Sequence, residues 1–346
     1  MLSGGKLFDE GIYGCIFTPP LDCKNGTTKG ILDDEDSQLS KLILTPYANL
    51  EFSIGTTIRQ IPLWKNYFIV SESICEPASI QKDKDLTKCP VLQDHSLKEF
   101  RVLTMPYGGL PLSIYRFNLS SFNIMDFIIH FIEAGAILNL FGIVHRDIHQ
   151  GNILVDDQQI PRLIDFNLSI FVKNDITNNK LKHKYDYILA QIPPDYTLVN
   201  AIMSGFNYQR VIDSIIEKKP ILKKVRNILG INMNDQLEQL EKFYRESKAV
   251  KGGNQVEWFN SYWRTVDSWA IGINIIDLIS KLSLWPEFSY ILNKIRPKLF
   301  PVLRKMCEVS PTRRIDCVQA LNYLAPNSFI IRKYGKAWLA KVGTGF

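Results

Sequence analysis

The sequence predicts an α+β chain in two parts, a small strand-rich amino-terminal part and a larger helical one. Three observations carry this. Short apolar runs at 39–44, 68–74 and 100–105 have the length and partial alternation of strands. Pro106, Tyr107, Gly108 and Gly109 then break the pattern where composition shifts, which reads as a hinge. From Ser120 onward, Ile124, Phe127, Ile128, Phe131, Ile132, Ala136 and Leu140 recur at helical spacing, as one buried helix face requires.

Composition bounds the rest. The chain has 346 residues, 46% of them hydrophobic and 22% charged, an ordinary globular balance with ample length for two cores. The formal net charge of +6 comes without any long basic block. A mildly basic surface suits phosphates or acidic substrates, and no direct nucleic-acid binding is expected. The six cysteines include no C-x-x-C pair. A chain this large needs no disulfide staples, so reduced thiols in a cytoplasmic setting are expected, with no zinc cluster. Met1 to Lys6 lead into no apolar stretch, so no signal peptide is read. The apolar region 122–144 contains Asp126, His130 and Glu133, which favours a buried helix over a membrane span.

The chemistry concentrates in 142–169. His145, Arg146 and Asp147 stand together, Asn152 follows, and Asp165, Phe166 and Asn167 come later. The runs Ile153-Leu154-Val155 and Leu163-Ile164 suit two small strands around a turn at Asp156-Asp157. That layout puts Asp147 and Asn152 on one loop and brings Asp165 back beside them. Phosphoryl transfer from a nucleotide needs such a set. One carboxylate accepts or orients the attacking hydroxyl. Another carboxylate and a carboxamide hold magnesium, which takes hard oxygen ligands.

This stretch resembles the catalytic loop and metal-binding segment of eukaryotic-type protein kinases, H-R-D-x-x-x-x-N followed by D-F-G. The resemblance implies a two-lobed kinase-like fold, with Asp147 as base and Asn152 and Asp165 as magnesium ligands. Asn167 stands where the family has Gly, and His149 where its serine/threonine members carry Lys. The resemblance assigns His149 an electrostatic part in transfer, donating to the γ-phosphate or to Asp147.

Taken in order, the remaining elements extend the likeness. Gly11, Gly14 and Ile16 fit the glycine-rich hairpin that covers nucleotide phosphates, with Asp9 in place of its first Gly. Residues 18–38 are rich in Pro, Gly and Asp and include Asp33, Asp34, Glu35 and Asp36; they read as a loop insertion. Lys41 sits on the next strand, where the family holds the α- and β-phosphates. Residues 47–61 read as a helix whose only acidic residue, Glu51, is the candidate partner of Lys41; Gly55 weakens that helix. Residues 75–96 are charged and loop-like. At the hinge, Met105 would flank the adenine and Tyr107 would lie beside it. Ser120 or Ser121 would cap the helix that feeds the catalytic loop.

Residues 169–191 are polar, with Lys173, Lys180, Lys182, His183 and Lys184, and Pro193-Pro194-Asp195 then matches the A-P-E close of the activation segment. Asp267-Ser268-Trp269-Ala270-Ile271-Gly272 fits D-x-W-x-x-G, whose Asp braces the catalytic-loop backbone in the family. Arg314, in Pro311-Thr312-Arg313-Arg314-Ile315, would pair with Asp195. The span from Asp195 to Asp267 is longer than the family's and includes an amphipathic stretch at 235–244. The tail beyond 325 carries Arg332, Lys333, Lys336 and Lys341 beside Tyr334 and Trp338. It reads as loosely docked and solvated, or as a site for an anionic partner.

The expected organisation is a small lobe at 1–105, a hinge at 106–109, and a large lobe at 110–325 with an insertion at about 197–260, followed by the tail. The expected function is an ATP- and magnesium-dependent protein serine/threonine kinase, with manganese as an alternative ion and a protein as substrate. The P-P-D close and residues 14–23 resemble kinases of large DNA viruses, which implies the host cytoplasm or the virion. Two alternatives stand. Asp147, His149 and Asn152 also fit the D-x-H-x-x-N loop of aminoglycoside and choline phosphotransferases. The missing first Gly and Asn167 suit a nucleotide-binding pseudokinase scaffold.

Overall fold

A five-stranded antiparallel sheet forms the amino-terminal part. Its strands are β1 (Lys6–Gly11), β2 (Gly14–Thr18), β3 (Gln38–Leu44), β4 (Ser73–Cys75) and β5 (Phe100–Pro106), in the order β1-β2-β3-β5-β4. The computed structural model describes residues 6–11, 14–26, 38–81, 84–174, 176–181 and 186–346. Ile12 and Tyr13 of the expected hairpin, the acidic run Asp33, Asp34, Glu35 and Asp36, and Lys182, His183 and Lys184 lie outside the described residues.

Strand alternation sorts side chains onto two faces. Leu42 joins Cys15, Phe17, Leu21, Cys89, Phe100 and Val102 in one core cluster. Its neighbour Ile43 joins Ala48 and Leu103 in another, beside the helix Thr45–Ile58. Gly14 is required by the sheet itself, because a Cβ there would lie 2.1 Å from the Leu42 carbonyl oxygen. Pro46 sits in the first turn of Thr45–Ile58, where its missing N–H has no partner to lose.

The chain divides into two compact units. The first comprises Met1–Leu110, Leu154–Asp157 and Arg162–Asn167, and the second Pro111–Ile153, Gln158–Pro161 and Leu168–Phe346. The second is mostly helical. Ile124–Leu140 and Val266–Leu282 pack against each other, and Cys317–Leu324 packs on the former. Both long helices bury most of their length, including Phe131, Ile132, Trp269 and Ile276. The span between Asp195 and Asp267 carries helices Tyr208–Lys218, Pro220–Leu229, Met233–Glu246 and Gln255–Tyr262, and the amphipathic 235–244 stretch lies within the third. Among the described residues, no helix is long and apolar enough to cross a membrane.

Several expectations need correction. The 68–74 strand is only an isolated bridge at Phe68 and the short β4. The loop-like 75–96 region holds 3-10 turns at Lys84–Lys88 and Pro90–Leu92. Asn123, not Ser120 or Ser121, caps the long helix, its side chain accepting from the Met125 and Asp126 N–H groups. The second small strand is Pro161–Leu163 rather than Leu163-Ile164. The helix Thr45–Ile58 runs unbroken through Gly55, where a Cβ would meet Ser71 and Val70 at 3.3–3.4 Å, so close packing accompanies the propensity cost of glycine.

The tail is not loosely docked. Ile330 and Ile331 are buried, Trp338 Nε1 donates to Asp316 Oδ2 at 2.9 Å, and Phe346 stacks on Tyr323 with centroids 4.2 Å apart. The cysteines are the largest departure. Cys15 pairs with Cys89, and Cys23 with Cys75, each with Cα atoms 5.9 Å apart. Only Cys307 and Cys317, both buried, remain as free thiols. The cysteines therefore give no support to a reducing compartment.

Candidate functional site

The singled-out residues fall into two groups, one in each unit. In the first unit Lys41 faces Ile16 across β2 and Leu103 across β5. It shares a face with Ile43, hence with the Thr45–Ile58 helix. Its Nζ lies 2.7 Å from Glu51 Oε2, with side chains 20% and 14% exposed. The same Glu51 oxygen accepts from Asn167 Nδ2 at 3.1 Å. Asn167 thus does something a glycine could not, tying the residue after Phe166 to the Lys41–Glu51 pair. Asp165 adopts φ +61°, a left-handed conformation that Asp tolerates better than most residues. Its Oδ1 accepts from the Asn167 N–H at 3.4 Å.

Gly11 closes β1, and Gly14 and Ile16 lie on β2. Met105 is on β5, and Tyr107 follows it, half-exposed, its ring edge-on to Phe8 at 6.2 Å. Gly109, at φ +98°, is required where it stands, since a Cβ would lie 2.0 Å from the Val155 carbonyl oxygen.

In the second unit a buried carboxylate organises the loop. Asp267, in the first turn of its helix, accepts from the His145 N–H at 2.6 Å and the Arg146 N–H at 3.0 Å. Burial pushes the Asp267 carboxyl up, against the pull of His145, Arg146 and the two backbone donors. Two turns on, Asn274 Nδ2 donates to the Ile148 carbonyl at 3.0 Å. Two side chains of a single helix thereby fix consecutive parts of 145–148.

Arg146 has φ +69° and is buried. Its guanidinium donates to the carbonyls of Lys180 (2.7 Å) and Leu181 (3.3 Å) and to the Tyr196 hydroxyl (2.8 Å). This costly arrangement holds the following polar segment against the loop.

Two side chains donate to Asp147 and a third approaches it. Asn152 Nδ2 donates to its carbonyl at 3.0 Å and to Oδ2 at 3.3 Å. Gln191 Nε2 donates to Oδ1 at 3.0 Å. His149 Nδ1 accepts the Gly151 N–H at 3.0 Å, so the neutral ring carries its proton on Nε2. That nitrogen lies 3.8 Å from Asp147 Oδ2, an electrostatic approach rather than a hydrogen bond. Of the two partners expected for His149 from sequence, the γ-phosphate or Asp147, the direct bond to Asp147 is not formed.

Asp195 and Arg314 meet as an ion pair at 2.6 Å with neither side chain exposed. Trp258 Nε1 donates to the other Asp195 oxygen at 3.1 Å. Burial raises the Asp195 carboxyl above its ordinary range, with Arg314 opposing.

Gln191 and Lys219 were not singled out by sequence reasoning. Gln191 is one polar residue in a polar stretch, without periodicity or motif. Lys219 lies between two amphipathic helices and reads as another solvated cation, yet it is 1% exposed, and burial lowers its pKa to about 7 against the pull of Asp186. No known family model matches this chain, and no curated protein matches it.

Proposed function

We propose that this chain is an ATP-dependent protein kinase with a two-lobed kinase-like fold, transferring the γ-phosphoryl group to serine or threonine hydroxyls of a protein. The observation carrying this reading is the hold of Asp267 on the His145 and Arg146 N–H groups. It presents Asp147 and Asn152 from a braced loop, and a solvated helix-capping Asp would have no reason to be buried there. The Lys41–Glu51 and Asp195–Arg314 pairs agree with it.

In this reading Asp147 orients the substrate hydroxyl and receives its proton, its carboxylate steadied by Asn152 and Gln191. Lys41, held by Glu51, neutralises phosphate charge. Magnesium would be held by Asp165 and Asn152, and when bound it supplies charge neutralisation on the phosphates. A carboxylate and a carboxamide oxygen are each hard donors of the kind magnesium takes, with the rest of its shell left to phosphates and water. The amide nitrogen of Asn152 is committed to Asp147, which leaves its oxygen as the coordinating atom. His149 Nε2 adds positive potential near Asp147 rather than acting as base.

Incubation with labelled ATP, magnesium and a panel of proteins and aminoglycosides tests the reading. Label on protein serine or threonine is expected. Label on an aminoglycoside would favour the small-molecule phosphotransferase. Nucleotide binding without transfer would favour the scaffold that Asn167 suggests.

A further inference from the structure

Lys219 is the most anomalous side chain of the second unit. It joins helices Tyr208–Lys218 and Pro220–Leu229 and is almost fully buried. Among the described residues no carboxylate forms an ion pair with it. Its Nζ donates instead to two backbone carbonyls, Leu189 at 2.6 Å and Tyr187 at 3.2 Å. A lysine amino group buried against backbone carbonyls, with no carboxylate in bonding range among the described residues, is expensive to bury, and an apolar residue of similar volume would serve packing better. Its partners therefore matter more than its packing.

Those partners lie directly before Gln191. The intervening carbonyl, Ala190, accepts from Trp269 Nε1 at 2.9 Å. Gln191 itself donates to Asp147 Oδ1. Carbonyls at 187, 189 and 190 are thus each held by a side-chain donor from another part of the unit.

We propose that Lys219 is a positioning residue for phosphoryl transfer, fixing the backbone at Tyr187 and Leu189 so that Gln191 stays on Asp147. This gives the inserted helical region a part in the reaction, and it rests on the kinase reading above. Lys219 does not touch reacting atoms and acts only through the segment it holds.

The test compares wild type, Lys219→Met, Gln191→Ala and the double variant in single-turnover and steady-state transfer from labelled ATP to a protein substrate. Lys219→Met keeps the side-chain length and removes the ammonium. It should lower kcat ~10- to 100-fold, the range for a misplaced catalytic group, and leave the KM for ATP within about twofold. Deuterium uptake should rise at 186–191 while Pro220–Leu229 stays protected. Gln191→Ala, at a partly exposed position, should lower kcat similarly. The double variant should be no worse than Gln191→Ala alone, since both changes break one connection.

Wild-type kcat in either single variant would overturn the proposal, as would additive losses in the double variant. If Lys219→Met fails to fold, Gln191→Ala with wild-type kcat still refutes it. A wild-type protein that transfers no phosphoryl group removes the kinase reading itself, an outcome distinct from an active wild type with an equally active Lys219→Met.

Discussion

Replacing Arg314 with alanine leaves the Asp195 carboxylate in a fully buried site with Trp258 Nε1 as its one remaining side-chain donor among the described residues. The change also removes guanidinium donation to the carbonyls of Glu308 (2.9 Å) and Val309 (3.3 Å) and contact over the Trp269 ring at 5.4 Å. Breaking a buried pair by deleting one partner costs about 3–5 kcal/mol, a large share of the ~5–15 kcal/mol that holds a typical protein folded. Burial already raises the Asp195 carboxyl, and without Arg314 the carboxyl rises further. Above the unfolded carboxylate range the native variant then keeps a proton that the unfolded chain has released. Its stability therefore falls as pH rises toward the folded pKa, so the cost should be larger at pH 8 than at pH 5.5. Urea unfolding followed by tryptophan fluorescence at both pH values measures this, with an unchanged m-value licensing the comparison. A loss below about 1 kcal/mol, within the range of exposed ion pairs, or a cost that is larger at the lower pH, would refute the reasoning.

Three further outcomes are expected. Lys41→Met should abolish transfer while costing about 1 kcal/mol or less in a thermal melt, because the Lys41–Glu51 pair is only partly buried and such pairs contribute little; full activity would remove Lys41 from the phosphate-holding role. Reducing Cys15–Cys89, or replacing Cys15 with Ser, should destabilise the first unit by about 2–4 kcal/mol, as expected for a bridge closing a loop of this length; identical urea midpoints with and without reductant would exclude a structural disulfide. Lys219 has a folded pKa of about 7 against 10.5 for the free side chain, so between those values the unfolded state binds more protons and wild-type stability should gain about 1.4 kcal/mol per pH unit relative to Lys219→Met. Parallel curves for the two proteins from pH 7.5 to 9.5 would place Lys219 in water.

Much of the second unit was legible because its signals are local or come in fixed order. The apolar spacing from Ile124 to Leu140 marks a helix, and the spacing of Asp195, Asp267 and Arg314 marks three residues that the structure buries in the same unit. Lys41 and Glu51 lie 2.7 Å apart, and the alternation of β3 accounts for the side Lys41 faces. What stayed hidden depends on distant backbone. Cysteine partners lie 74 and 52 residues apart, and no spacing rule joins them. Asn123 rather than Ser120 or Ser121 caps its helix because the turn between them sets where helical φ and ψ begin. The cations of the tail suggested solvation, but Trp338 and Ile331 decide its packing. Gln191 and Lys219 are ordinary polar residues until the fold supplies Asp147 and two carbonyls as their partners.

The central claim is that Asp147 serves phosphoryl transfer to protein hydroxyls. Phosphoamino-acid analysis after reaction with labelled ATP and magnesium, for wild type and Asp147→Asn prepared alongside, tests it most directly. The account predicts phosphoserine or phosphothreonine from the wild type. It predicts a loss of about a hundredfold or more in Asp147→Asn, as when a general base is removed, with an unchanged melting curve. Equal labelling by both proteins, or none by the wild type, would contradict it.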